Sequence, residues 1–211
     1  MIDDQNQFTE LAYKYYPKGI DEFDEEDKYR ASREFHLLKT KQRSALILTA
    51  EEWHQFVLTI KNEFPNSYIS TFECYLNNSE RSFPLCILFK KEVNGRLKVK
   101  NLVFHLSVLI NYFTIYQSNP LTASYINDDS YASFEIEDWL REEHDRLLHL
   151  AKQTFSQYTS FPKELICQQI PDIMFDGIGI LKKNIENRRH DDQKVMTNYH
   201  AFFSSRFYFN A

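Results

Sequence analysis

The sequence predicts an α+β fold, an antiparallel meander of about four strands flanked by N-terminal and C-terminal helices. Three observations carry that prediction. Apolar residues recur at helical spacing ahead of Pro65 and again beyond Ser133. Between them, from Ser67 to Ser118, the chain changes to runs rich in β-branched and aromatic residues separated by turn chemistry. Only 4 Gly and 6 Pro occur in 211 residues, which disfavours an architecture built from many tight turns. No Gly-, Pro- or Ser-rich linker divides the chain, so residues 1–211 read as a single domain.

Taken in order, Phe8, Leu11, Ala12 and Tyr15 form a first helical stripe, which Pro17 and Gly19 end. A second helix is expected from about Asp24 to Gln42 through Tyr29, Ala31, Phe35 and Leu38. Thr49-Ala50-Glu51-Glu52 has the spacing of a capping box, and Trp53, Phe56, Val57, Ile60 and Phe64 follow as one continuous stripe. The strand segments are SYISTFECYL, PLCILFKKEV, RLKVKNLVFHL and INYFTIYQS. Asn94-Gly95 marks a hairpin. A two-residue loop there sets Lys90 opposite Val99 and Glu92 opposite Leu97, which mixes the faces. A three-residue loop, Val93-Asn94-Gly95, sets Phe89 opposite Val99 and Glu92 opposite Arg96, and is the expected register because it keeps the apolar face continuous. Ile136, Trp139, Leu140, Leu147, Ala151 and Phe155 define a long amphipathic helix ending near Tyr158. A short helix, KELICQQI, is expected between Pro162 and Pro171, and a last one over Asp192 to Phe203.

The composition, 43% hydrophobic and 26% charged, is that of a globular chain, and 18 Phe with 13 Tyr supply bulky core side chains. No apolar run is long enough to cross a bilayer, and MIDDQNQFTELAYKYY has neither a basic nor an apolar leader region, so no membrane is expected and a cytoplasmic location is. Three cysteines, Cys74, Cys86 and Cys167, are then expected reduced, although Cys74 and Cys86 would face each other across a hairpin centred near Ser79 and Glu80. The net charge of −5 argues against indiscriminate nucleic-acid binding. That charge is uneven: Asp21, Glu22, Asp24, Glu25, Glu26 and Asp27 form an acidic run, a second follows from Asp128 to Asp145, and Lys90, Lys91, Arg96, Lys98 and Lys100 surround the hairpin turn.

Chemistry is sparse. His105 and Ser107, two apart on one strand, share a face with Val103, while Leu102, Phe104 and Leu106 point the other way. Nothing like Gly-x-Ser-x-Gly surrounds Ser107, and a flat strand interior offers no nucleophile elbow, so the expectation is a hydrogen-bonded polar pair on the less buried face. His144 and His149 are five apart, the wrong spacing for chelation along a helix. Asp145 and His149, at i,i+4, read as a solvated polar pair. His190-Asp191 lacks the further histidines a metal phosphohydrolase needs, and Asp191 or Asp192 suits a helix cap. Neither a Walker pattern nor a dinucleotide fingerprint occurs; no cofactor and no metal are expected. Tyr112, Thr114 and Tyr116 alternate with Phe113 and Ile115, which suggests a sheet covered on both sides rather than an RNA-stacking platform.

These readings lead to the expectation of a non-enzymatic interaction protein that uses the acidic run at 21–27 against a basic protein partner, such as a toxin neutralised in the manner of bacterial immunity proteins. Two alternatives stand beside it. One is a small hydrolase built on His105 and Ser107 or on Asp145 and His149. The other is binding of RNA or single-stranded DNA through the basic hairpin.

Overall fold

A computed structural model describes residues 4–22, 24–71, 81–119, 132–174 and 195–204. Four helices come first: α1 (Asp4–Ala12), α2 (Glu26–Arg30), α3 (Arg33–Leu48) and α4 (Ala50–Glu63). Strands β1 (Tyr68–Thr71), β2 (Ser82–Val93), β3 (Arg96–Ser107), β4 (Tyr112–Ser118) and β5 (Ala132–Ser133) then pair in that order, each antiparallel to the next. After a 3-10 turn at Asp138–Leu140 come α5 (Arg141–Thr154) and β6 (Thr159–Ser160), which lies parallel to β4. A second 3-10 turn, Lys163–Leu165, leads to β7 (Gln169–Met174), which pairs with β8 (Val195–Thr197) ahead of α6 (Asn198–Phe202). The α+β meander expected from the sequence is the fold observed.

The register of β2 on β3 sorts the two strands into two faces. Leu85↔Phe104 and Ile87↔Leu102 put Phe83, Leu85, Ile87, Phe89, Leu102, Phe104 and Leu106 on one side. There they meet the stripes of α4 and α5, and Trp53, Phe56, Leu147, Ala151 and Phe155 complete the layer. The rings interlock: Phe56 lies 5.2 Å from Phe104 and 5.0 Å from Phe155, centroid to centroid, and Trp53 stacks on Phe83 at 5.3 Å. Such pairs add about 0.5–1.5 kcal/mol each beyond area burial. The opposite face, with Cys86, Val103 and Tyr116, packs under Phe8 and Ala12 of α1, Tyr199 and Phe202 of α6, and Ile170 and Ile173 of β7. The centre of the sheet is therefore buried on both sides, as the aromatic alternation of β4 implies.

Several local expectations give way. The helix expected over residues 24–42 is two: Ser32 is extended (φ −68°, ψ 149°), its hydroxyl accepts a hydrogen bond from Phe35 N at 3.1 Å, and α3 then runs on to Leu48. That overrun removes the capping box. Thr49 is still helical (φ −109°, ψ −9°), its side chain caps nothing, and the chain turns from α3 into α4 through it. A capping box needs an extended N-cap, and a residue held by the preceding helix cannot supply one. KELICQQI is a 3-10 turn followed by β7, and the last helix is only the five residues of α6, with β8 ahead of it. Cys86 pairs with Ser70 across β1 and β2; Cys74, His190 and Asp191 lie outside the described residues.

The hairpin is also corrected. Val93 pairs with Arg96, and the loop is the two residues Asn94 (φ 53°) and Gly95 (φ 72°), both left-handed as a type I′ turn requires. The backbone preference of Asn-Gly outweighs face continuity because the hairpin end extends past the core, where little apolar surface depends on the register. The face mixing is accommodated by charge. Lys98 and Lys100 follow Leu102 on the α4–α5 side, and Glu137 accepts both, at 2.7 and 3.2 Å, together with Trp139 Nε1 at 2.8 Å.

The two caps differ in a measurable way. Ser32→Ala is expected to lower stability by about 1 kcal/mol through the lost N-cap bond, whereas Thr49→Ala should stay within about 0.5 kcal/mol of wild type. Urea midpoints measured side by side check both; a larger loss at Thr49 than at Ser32 would contradict this assignment of helix starts.

Candidate functional site

His105 lies in the middle of β3, on the face under α1 and α6, and is 2% exposed. The expected less buried face is thus fully covered. Its partner is not Ser107 but Ser82 on β2, diagonally across from it, whose Oγ lies 2.8 Å from His105 Nδ1. A serine and a histidine at this distance resemble a catalytic dyad, so the position of the hydroxyl proton matters. Ser82 donates it to the Phe203 carbonyl at 2.5 Å. The oxygen must then accept from His105 Nδ1–H, which leaves the single lone pair of Nε2 to accept from one of the two tyrosine hydroxyls beside it, Tyr116 (3.3 Å) or Tyr199 (3.4 Å), which also hydrogen-bond to each other at 3.0 Å. Burial pushes the imidazole pKa down to about 3, so the ring is neutral.

In this tautomer the nitrogen nearest the serine is a donor and cannot take its proton. The arrangement ties β2, β3, β4 and α6 together through one imidazole. Ser107 serves the backbone instead, where its Oγ accepts from Leu109 N at 3.2 Å and Ile110 N at 3.3 Å and holds the turn into β4. Ser82 and Tyr199 were not legible as partners, since they stand 23 and 94 residues from His105 and no local pattern links them.

On α5, Asp145 pairs with its neighbour His144 at 2.9 Å rather than with His149, and both Asp145 and His149 are exposed. Among the described residues no three His, Cys, Asp or Glu side chains are grouped as metal ligands. No described helix is long and apolar enough to cross a membrane.

The acidic run is a built segment rather than a loose chain. Asp21 Oδ1 accepts Asp24 N at 3.1 Å, Asp21 N donates to Glu25 Oε2 at 3.4 Å, and Glu25 N donates to Asp21 O at 3.1 Å. Glu25 pairs with Lys28 at 2.9 Å and Glu26 pairs with Arg30. The Lys28 hydrogen bond, aided by the Asp21 amide, holds the Glu25 carboxyl below its ordinary range. Glu22 is half-buried, within electrostatic reach of the buried Arg81 and Tyr16. Asp24, Glu26 and Asp27 face solvent, and the helix beneath them is anchored by buried Tyr29. Six carboxylates against Lys28 and Arg30 leave residues 21–30 at −4. The basic hairpin has a smaller free charge. Lys98, with Trp139 and Lys100 adding, holds the Glu137 carboxyl at about 2, so Lys98 and Lys100 are already engaged. Lys90, Lys91 and Arg96 remain exposed at the tip beside Glu92.

The neutral imidazole makes stability pH-dependent with a definite sign. An unfolded histidine has its ordinary pKa of 6.5, the folded one about 3. Between these values the unfolded chain binds a proton that the folded chain does not. Stability from this group is fully present above the unfolded pKa and declines as pH falls through the window, by about 1.4 kcal/mol per pH unit. Denaturant midpoints from about pH 7 to about pH 4 should fall more steeply for wild type than for His105→Asn; parallel curves would contradict the buried neutral ring.

No protein-family model, no curated protein and no solved structure matches this chain.

Proposed function

We propose that this chain is a non-enzymatic protein-interaction domain whose acidic segment, Asp21, Glu22, Asp24, Glu25, Glu26 and Asp27, docks a basic protein partner, a role of the kind an immunity protein plays toward a toxin. The observation that carries the reading is the segment's construction. Residues 21–30 carry a net charge of −4, the turn at 21–25 is fixed by its own hydrogen bonds, the short helix α2 that follows is anchored by buried Tyr29, and Asp24, Glu26 and Asp27 are turned outward. A preorganised charged surface loses little conformational freedom on binding and attracts an oppositely charged partner over distance. The hydrolase reading is less favoured because the serine proton beside His105 is committed to a main-chain carbonyl. The hairpin reading is less favoured because Glu137 answers two of its five cations.

The test is kinetic. With a basic partner recovered from the native cell, replacing Asp24, Glu26 and Asp27 by their amides should slow association several-fold at low salt and change dissociation little. Raising ionic strength from about 0.01 M to 0.15 M shortens the Debye length from about 30 Å to about 8 Å, so the two association rates should converge. Coincident wild-type and variant rates at every ionic strength would eliminate the segment as a docking surface.

A further inference from the structure

Helix α3 is long for what it buries: of its 16 residues only Leu38, Gln42 and Ala45 are buried, all on one side. The opposite side of a surface helix is ordinarily polar. Here it carries aliphatic side chains, with Ile47 80% and Leu48 78% exposed and Leu37 exposed three turns earlier. Leu37, Thr40, Ser44 and Ile47 stand at the alternating spacing of a coiled-coil seam. Thr40 and Ser44 are small, and the Thr40 hydroxyl is turned back onto His36 O at 2.8 Å. The middle of the seam therefore admits close approach of a second helix, with larger anchors at either end.

Charge borders the seam on both sides. Lys41 follows one edge and His36 and Arg43 the other, all exposed. Neither Lys41 nor Arg43 makes an ion pair among the described residues, whereas Lys28 and Arg30 of α2 are paired. Glu34 is the only acid of α3. Charges at such flanking positions select the partner of a helical seam. We infer that α3 docks an amphipathic helix of another protein, one that sets aliphatic residues on Leu37, Ile47 and Leu48 and carboxylates beside Lys41 and Arg43. The acidic part of that helix is confined to the span facing residues 37–48, about 16 Å, because segment 21–27 precedes α3 and Glu51 and Glu52 follow it. The same acidic ends, with hydroxyls at the centre of the seam, disfavour an anionic bilayer on this face, and nucleic-acid phosphates make no use of the aliphatic anchors. The surface is distinct from segment 21–27 and opposite to it in charge.

Calorimetric titration with helical peptides of about 15 residues tests this. The first peptide carries Leu at the seam spacing and Glu at the flanking positions; the second has Gln for each Glu, and the third has Ser for each Leu. The first should bind saturably, and the other two about tenfold more weakly or not at all. Ile47→Ser with Leu48→Ser, and separately Lys41→Glu with Arg43→Glu, should each weaken the first peptide about tenfold or more. The melting temperature should not change, since these side chains are exposed. Replacing Asp24, Glu26 and Asp27 by their amides should not weaken the peptide, so this surface and the docking role of that segment fail independently. Absence of saturable binding by the first peptide, equal binding of the Gln or Ser peptide, or undiminished binding by either variant would overturn the inference. Binding to phosphatidylcholine vesicles containing phosphatidylglycerol, or a concentration-dependent dimer in sedimentation, would also overturn it if Ile47→Ser with Leu48→Ser abolished that association, because the face would then belong to a bilayer or to a second copy.

Discussion

The structure depends on one constraint: its central strands are buried on both faces, so a polar group there has to be satisfied inside the protein. Water is excluded from His105, Ser82, Thr114 and Ser107 alike. An unpaired polar group in such a place costs roughly 1–3 kcal/mol, enough to consume much of a domain's net stability. The solution is a relay: Ser82 donates to Phe203 O, His105 Nδ1–H donates to Ser82, and one of the mutually bonded Tyr116 and Tyr199 hydroxyls donates to His105 Nε2. Because Phe203 and Tyr199 belong to the C-terminal helix and its end, the relay also fixes where that helix docks on the sheet.

The same constraint separates interior from surface chemistry. On the α4–α5 side the buried cluster is built of aromatic and aliphatic side chains as far as the hairpin end, where Lys98 and Lys100 emerge and Glu137 meets them. On the other side Arg81 is buried, its Nε donating to the Tyr16 hydroxyl at 2.6 Å, and Tyr16 passes its own proton to Ala201 O at 2.7 Å. Glu22 is half-buried within electrostatic reach of this group, while Asp24, Glu26 and Asp27 face solvent. Structural and surface roles of the run are thus divided residue by residue.

Helix stripes and strand alternation were legible because they report burial of one face by sequence-local periodicity. Trp53, Phe56, Val57, Ile60 and Phe64 are all buried, as are Leu140, Leu147, Ala151 and Phe155. What failed were choices between two acceptable local chemistries. Thr49 could start a helix or lie inside the corner of a continuing one, and only the length of α3 decides. Asn94-Gly95 suits a I′ turn, and face continuity governs a register only where the core reaches, which is short of the hairpin end. KELICQQI has residues compatible with either state, and pairing with β8 selects the strand. The His105 partners were beyond reach for a different reason. Tyrosine reads as apolar in a pattern, so its hydroxyl leaves no trace in periodicity, and Phe203 contributes only a main-chain carbonyl.

The central claim is that His105 is a neutral, buried joint with its proton on Nδ1. Imidazole ¹⁵N NMR measures this directly. The expected result is a protonated Nδ1 and an unprotonated, hydrogen-bonded Nε2, with shifts unchanged as pH is lowered from neutrality through the ordinary histidine range. A ring that titrates near its ordinary pKa, or one that carries its proton on Nε2, would contradict it.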